Sequence, residues 1–156
     1  MKVKYLGIIL VFFLLIGVAS AIDAGDVSID DFKNIKYYNK DTNMSLDNFD
    51  FTIPKGYGPI EKLSSSESDN GVTQSYKFFA DDDGDVIMVC VISGKINLDL
   101  DAYDTIGNNP QKMTIKNHDG TLLEKDNYYF FVYIEGDSVI LIQAKDKNLF
   151  EDIIVD

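Results

Sequence analysis

Val72-Thr73-Gln74-Ser75-Tyr76-Lys77-Phe78-Phe79-Ala80, Asp81-Asp82-Asp83-Gly84-Asp85 and Val86-Ile87-Met88-Val89-Cys90-Val91-Ile92, read together, decide the fold. Two runs of strand length flank an acidic turn whose Asp-Gly pair supplies the positive φ that tight hairpins demand. In the second run Val86, Met88, Cys90 and Ile92 fall on one face and Ile87, Val89 and Val91 on the other. A strand apolar on both faces is covered on both, so this one is central to its sheet. Cys90 is then a small buried apolar residue.

Working outward, Asp99 to Ile106 sets Leu100, Tyr103 and Ile106 at helical spacing, with Asp99 as N-cap and Gly107 as stop. Lys112–Lys116 and Thr121–Glu124 read as short strands around Asn117-His118-Asp119-Gly120. Tyr128–Ile134 is an aromatic strand that turns through Glu135-Gly136-Asp137-Ser138 into Val139–Ala144. Asp146 can cap a last helix in which Leu149, Phe150, Ile153 and Ile154 form an apolar stripe. Upstream, Phe49-Asp50-Phe51-Thr52-Ile53 alternates as a half-buried strand, ended by Pro54 and turned by residues 55–59. Ser64 to Gly71 reads as a mobile surface loop. Residues 22–48 are poorly patterned: Ile29, Phe32 and Ile35 fit a helical stripe, while Ile35 to Tyr38 equally fits a short strand. The order predicts the α+β class, a mainly antiparallel sheet with helices packed on it, as one domain over residues 49–156.

The N-terminus predicts export. Lys2 and Lys4 precede an uncharged run from Tyr5 to Val18, and Ala19-Ser20-Ala21 has the A-x-A pattern of a signal-peptidase site, with Ala19 and Ala21 as its small residues. The competing reading is an uncleaved anchor helix, in which residues 5–22 would be the chain's one attachment to the membrane. Small residues at both positions matter to a peptidase and not to a span, which favours a signal peptide over residues 1–21. Either way the globular part is extracytoplasmic, secreted or anchored at the cell surface.

Charge narrows the partners. The 156 residues carry 26 acids against 14 lysines and no arginine, a net charge of -12. Loss of residues 1–21 removes two lysines and no acid, leaving -14 over 135 residues. Nucleic acid is excluded, because its binding rests on Lys and Arg neutralising phosphates. One Cys and one His exclude a disulfide framework and the usual zinc clusters.

Phe49-Asp50-Phe51-Thr52-Ile53-Pro54-Lys55-Gly56-Tyr57 resembles the strand-Pro-Gly-aromatic opening of PsbP-like proteins, and the later order of hairpin, strands and terminal helix is similar to theirs. The same segments resemble small exported archaeal proteins of unknown function. The resemblance implies an antiparallel sheet with helices on both sides, a PsbP-like sandwich. It also implies a binding or scaffolding role, and carries over no functional residue.

Candidate chemistry is sparse. Asp81, Asp82, Asp83 and Asp85 are the metal candidates, since clustered hard oxygens suit Ca²⁺. An EF-hand is ruled out: with Gly84 as sixth residue its first position would be Phe79 and its twelfth Cys90. The competing reading is a solvated hairpin turn. Tyr128, Tyr129, Phe130, Phe131 and Tyr133 could stack on a sugar or a partner, or form core, and core is the ordinary fate of aromatic strand residues. His118 lies in a polar turn without a nucleophile motif. Cys90 has no neighbouring base to activate it. Asn43-Met44-Ser45 is the one glycosylation match, placing Asn43 in the irregular N-terminal region. No catalytic motif occurs and no cofactor is indicated. The expectation is an exported, non-catalytic binding domain with a protein or envelope component as partner. Its alternatives are an envelope glycoside hydrolase using an Asp/Glu pair and a weak Ca²⁺-dependent adhesion module.

Overall fold

The structure, a computed structural model, describes residues 34–96, 98–104 and 108–156. The signal region with Ala19 and Ala21, the positions Ile29 and Phe32, and the stop at Gly107 lie outside the described residues.

Among the described residues ten strands predominate: β1 (Thr42–Leu46), β2 (Phe49–Ile53), β3 (Gly58–Pro59), β4 (Ser65–Asp69), β5 (Val72–Ala80), β6 (Val86–Gly94), β7 (Asn108–Ile115), β8 (His118–Lys125), β9 (Tyr128–Glu135) and β10 (Ser138–Ala144). β1 and β2 form a separate hairpin. The main sheet runs β3-β5-β6-β10-β9-β8-β7, with β4 also pairing β5, and every pairing in it is antiparallel. β6 lies inside the sheet between β5 and β10, as its two apolar faces require.

The turns explain why the strands stop where they do. Asp47-Asn48, Asn70-Gly71, Lys116-Asn117 and Asp126-Asn127 each place two successive residues at positive φ. That is the I′ geometry whose twist matches the flanking strands, and Asn, Asp and Gly tolerate it best. Gly84 takes φ +86 in the β5–β6 turn.

One apolar layer joins Phe79, Ile87, Val89, Ile142 and Phe131 of the sheet to Phe51 and Ile53 of β2, and to Phe150 and Ile153 of α1 (Leu149–Ile153). A bridge between Phe51 and Ile154 ends α1 by drawing Ile154 into extended backbone, and the Lys116 Nζ donates to the Ile154 carbonyl at 3.0 Å. The opposite layer joins Phe78, Met88, Cys90, Leu141, Val132 and Leu123 to Ile60, Leu63, Leu100 and Tyr103. Those last four come from or adjoin two 3-10 turns, Glu61–Leu63 and Leu100–Tyr103. Complete burial of such a side chain is worth about 1.5–3 kcal/mol, and the partly buried Leu63 and Leu100 contribute less.

Four expectations are corrected. The α+β class with helices packed on the sheet, and with it the PsbP-like sandwich, is overturned: the described chain is mostly antiparallel sheet with one five-residue α-helix. A hairpin and short turns do the covering that helices were expected to do. The helix foreseen from Asp99 is only a 3-10 turn, although Asp99 does accept from the Asp101 N–H at 3.0 Å. The terminal helix starts at Leu149, where Asp146 instead holds the preceding turn by accepting from the Asn148 N–H at 2.9 Å. The Ser-rich stretch is β4, not a loop: Ser66 and Ser68 hydroxyls meet those of Ser75 and Thr73 at 2.7 and 2.9 Å across the pair. In the weakly patterned segment β1 emerges, while Tyr38 exchanges two backbone bonds with Gly56 and Tyr57 without forming an assigned strand.

Gly120 lies on β8 opposite Tyr133 of β9, where there is no room for a side chain. A Cβ there would stand 2.6 Å from the Phe131 ring and 2.6 Å from the Val132 carbonyl oxygen. Gly120→Ala is expected to cost about 1–3 kcal/mol by overpacking. Gly136→Ala, where nothing lies within 4 Å but φ is +57, should cost about 1 kcal/mol of left-handed strain. Urea unfolding of both variants checks the order; equal losses would refute the steric account.

Candidate functional site

The chemistry-bearing residues gather at the sheet end where β5 turns into β6. Asp81 organises that turn: its Oδ1 accepts from the backbone N–H of Asp83 at 3.1 Å and of Asp85 at 2.8 Å. Its own backbone closes the loop, N–H to the Asp85 carbonyl at 3.1 Å and C=O from the Gly84 N–H at 3.3 Å. This is the side-chain turn that Asp makes with backbone two residues on. Lys145, just past β10, is ion-paired with Asp85. That bond holds the Lys145 ammonium above the usual lysine range.

Tyr57 arrives from the turn after β2 and hydrogen-bonds Asp81. Its hydroxyl is pushed up to about 12, first by burial and then by the negative field of Asp81, Asp85 and Asp146. Thus Asp81 and Asp85 are joined by Tyr57, Lys145 and Asp146, three residues that sequence reading did not group. Their convergence follows from β10 and β5 both flanking β6 and ending at this edge, a relation between residues about 60 positions apart. Asp82 and Asp83 are exposed on the loop. Among the described residues no group of three or more His, Cys, Asp or Glu is disposed to hold a metal ion.

The other candidates lie apart from this end. His118 opens β8, its Nδ1 3.8 Å from the Glu135 carboxylate and its ring 4.7 Å from that of buried Tyr133. Cys90 is wholly buried; burial pushes its thiol up to about 12, against a lowering bond from Gln74. Phe130, Phe131 and Tyr133 are core, with Phe131 stacked on Tyr133 at 5.5 Å and tilted against Phe150 at 6.0 Å. Tyr128 and Tyr129 are half-buried. Asn43 stands on β1, not in irregular chain, and its Oδ1 accepts from the Thr52 hydroxyl at 3.2 Å.

Each side of the sheet carries one exposed strand, whereas β3 is buried at Gly58. β4 is exposed along its whole length, and β7 from Asn108 to Thr114. β7 carries Pro110, a register irregularity between Asn108 and Gln111, and Lys112, all of which discourage pairing with another chain. Lys112 is held by Asp101 at 3.0 Å, Asp104 at 3.1 Å and the Thr121 hydroxyl at 3.0 Å.

Burial raises the Cys90 thiol and the Tyr57, Tyr103 and Tyr133 hydroxyls above their ordinary values of 9.0 and 10.0. The folded chain therefore keeps these protons at pH values where the unfolded chain has lost them. Stability contributed by the four groups is present below pH 9 and falls as pH rises from about 9 towards 12. Denaturant unfolding at pH 8, 10 and 11 should show a steep loss, with Tyr57→Phe flattening the slope by about one proton between 10 and 12. A slope unchanged in that variant would place Tyr57 outside the buried network.

No curated protein and no solved structure matches the chain. Residues 48–155, more than two thirds of it, match the sequence profile of a domain of unknown function, DUF4367. That span takes in β2 to β10 and α1, hence the whole main sheet and the acidic turn. The chain belongs to the DUF4367 family.

Proposed function

We propose that the protein is an exported, non-catalytic binding domain that works at or outside the cell surface on an envelope component or a protein partner. One observation carries the reading: the reactive groups are engaged in the fold. Asp81 spends its carboxylate on backbone N–H groups, Asp85 is paired with Lys145, and Cys90 is sealed in the core with its thiol protonated. His118 faces Glu135 and the Tyr133 ring, with no nucleophile among those contacts. Contact with a partner then falls to the exposed edges β4 and β7 and to the acidic turns. A net charge of -12 steers such contact towards cationic partners and away from nucleic acid and anionic lipid.

Three measurements test this. Mass spectrometry of the native protein's N-terminus should find residues 1–21 removed or retained as an anchor on an extracytoplasmic protein; a cytoplasmic full-length chain would defeat the export reading. Cross-linking in native envelopes should recover the same component in repeated preparations, and purified protein should release no sugar from envelope polysaccharide. Sustained release of sugar that is lost when one carboxylate is changed to its amide would favour a hydrolase. Calorimetry with millimolar Ca²⁺ is expected to give no heat and no rise in melting temperature; a saturable heat abolished by Asp85→Asn would restore the adhesion reading.

A further inference from the structure

Among the described strands β4 pairs with β5 alone. Its five residues match Val72–Tyr76 one to one, without a bulge, and all five are exposed. The rest of this side of the sheet is closed. A Cβ at Gly58 of β3 would stand 2.5 Å from Ile35 Cγ2 and 2.6 Å from the Lys36 carbonyl oxygen. Next to them Tyr38 exchanges backbone bonds with Gly56 and Tyr57. β4 therefore presents a short outward row of backbone N–H and C=O groups, the template on which another strand can add.

The two sides of the sheet guard against such addition differently. On β7, Pro110 lacks an N–H and the register slips between Asn108 and Gln111, so any incoming strand meets an obstacle. β4 has no proline, no slip and no lysine. Its guard is charge, and charge discriminates by sign: an acidic strand is turned away and a basic one is drawn in.

Alternation fixes where that charge must be met. Ser66 and Ser68 reach the Ser75 and Thr73 hydroxyls at 2.7 and 2.9 Å, so they share one face. Ser65, Glu67 and Asp69 lie on the other. A second copy's β4 laid antiparallel here would set acid against acid.

We propose that β4 receives an extended segment of a partner protein carrying Lys or Arg at alternate positions, with small polar residues such as Thr between them. The segment adds as a strand, and its backbone completes the outward row of β4. Its cations at i and i+2 stand beside Glu67 and Asp69, and the residue between them lies beside Ser68. The inference rests on the binding reading above and gives the partner its chemistry.

The test offers the purified full chain a labelled, capped peptide, Thr-Lys-Thr-Lys-Thr-Lys-Thr, read by anisotropy at low salt and by amide hydrogen exchange. Two comparison peptides keep its charge: one with a fully N-methylated backbone, and Thr-Thr-Lys-Lys-Lys-Thr-Thr, which puts lysine on both faces. The alternating peptide should bind saturably and slow exchange in residues 65–69. The clustered peptide should bind more weakly and the N-methylated one not at all. Glu67→Gln with Asp69→Asn should weaken binding about fivefold. Glu151→Gln with Asp152→Asn, the same charge change at exposed positions of α1, should leave it unchanged. The inference is overturned by an absence of saturable binding, by equal binding of the N-methylated peptide, or by equal weakening in the two double variants. Because the peptide meets purified protein, its failure is separate from a failure of the cross-linking that tests the binding reading.

Discussion

The pairing of β6 with β10 is the constraint on which the rest depends. Both strands are apolar on both faces and every residue of β10 is buried, so neither can sit at an edge or face water. Each face of that pair must be covered, and the chain meets the demand in two ways. β1, β2 and α1 close one side, with Phe51, Ile53, Phe150 and Ile153 at the seam. The other side takes Ile60 and Leu63 on the flank of β5, and Leu100 and Tyr103 on the flank of β8 and β9. Ordering the rest of the sheet around this pair then follows from hairpins, which bring β5 to one side and β9, β8 and β7 to the other.

Hairpins of this kind are read locally, and that is why so much of the sheet was legible. β2 and β5 were foreseen at their observed bounds, and β6, β9 and β10 within two residues, because alternation and an Asp-Gly or Gly-containing turn coincide there. β1 and β4 were not legible. β4 is Ser-Ser-Glu-Ser-Asp, exposed throughout, so no apolar period marks it; its place comes from the Asn70-Gly71 turn and from hydroxyl pairs with β5. β1 hides behind Asp47-Asn48, a turn without glycine. The helices were overread for a related reason. Three apolar residues at spacing three fit one turn of 3-10 as well as a helix, and nothing in Leu100 to Ile106 distinguishes them.

The candidate site divides along the same line. The acidic turn was visible because it is contiguous, and its role as hairpin chemistry follows from residues within it. Tyr57, Lys145 and Asp146 reach it only through the sheet order, and no local pattern announces a contact between Asp85 and Lys145.

The acidic composition itself acquires a structural meaning from the turns. Asp47, Asp81, Asp99, Asp126 and Asp146 each sit where a side chain accepts from nearby backbone or where φ turns positive. Asn would serve most of these positions equally well, as it does at residues 48, 70, 117 and 127. Choosing Asp keeps the turn and adds a charge, so the fold gains mutual repulsion between copies at no cost in geometry. That repulsion matters most at the exposed edges. β4 carries Glu67 and Asp69 along an otherwise uncharged strand, which opposes edge-to-edge pairing with a second acidic copy. β7 has no acid in Asn108–Ile115 and relies on Pro110, its register irregularity and Lys112. Two open edges are thus protected by two different means, and a partner that meets the charge at β4 with its own lysines or arginines would find that protection reversed into attraction.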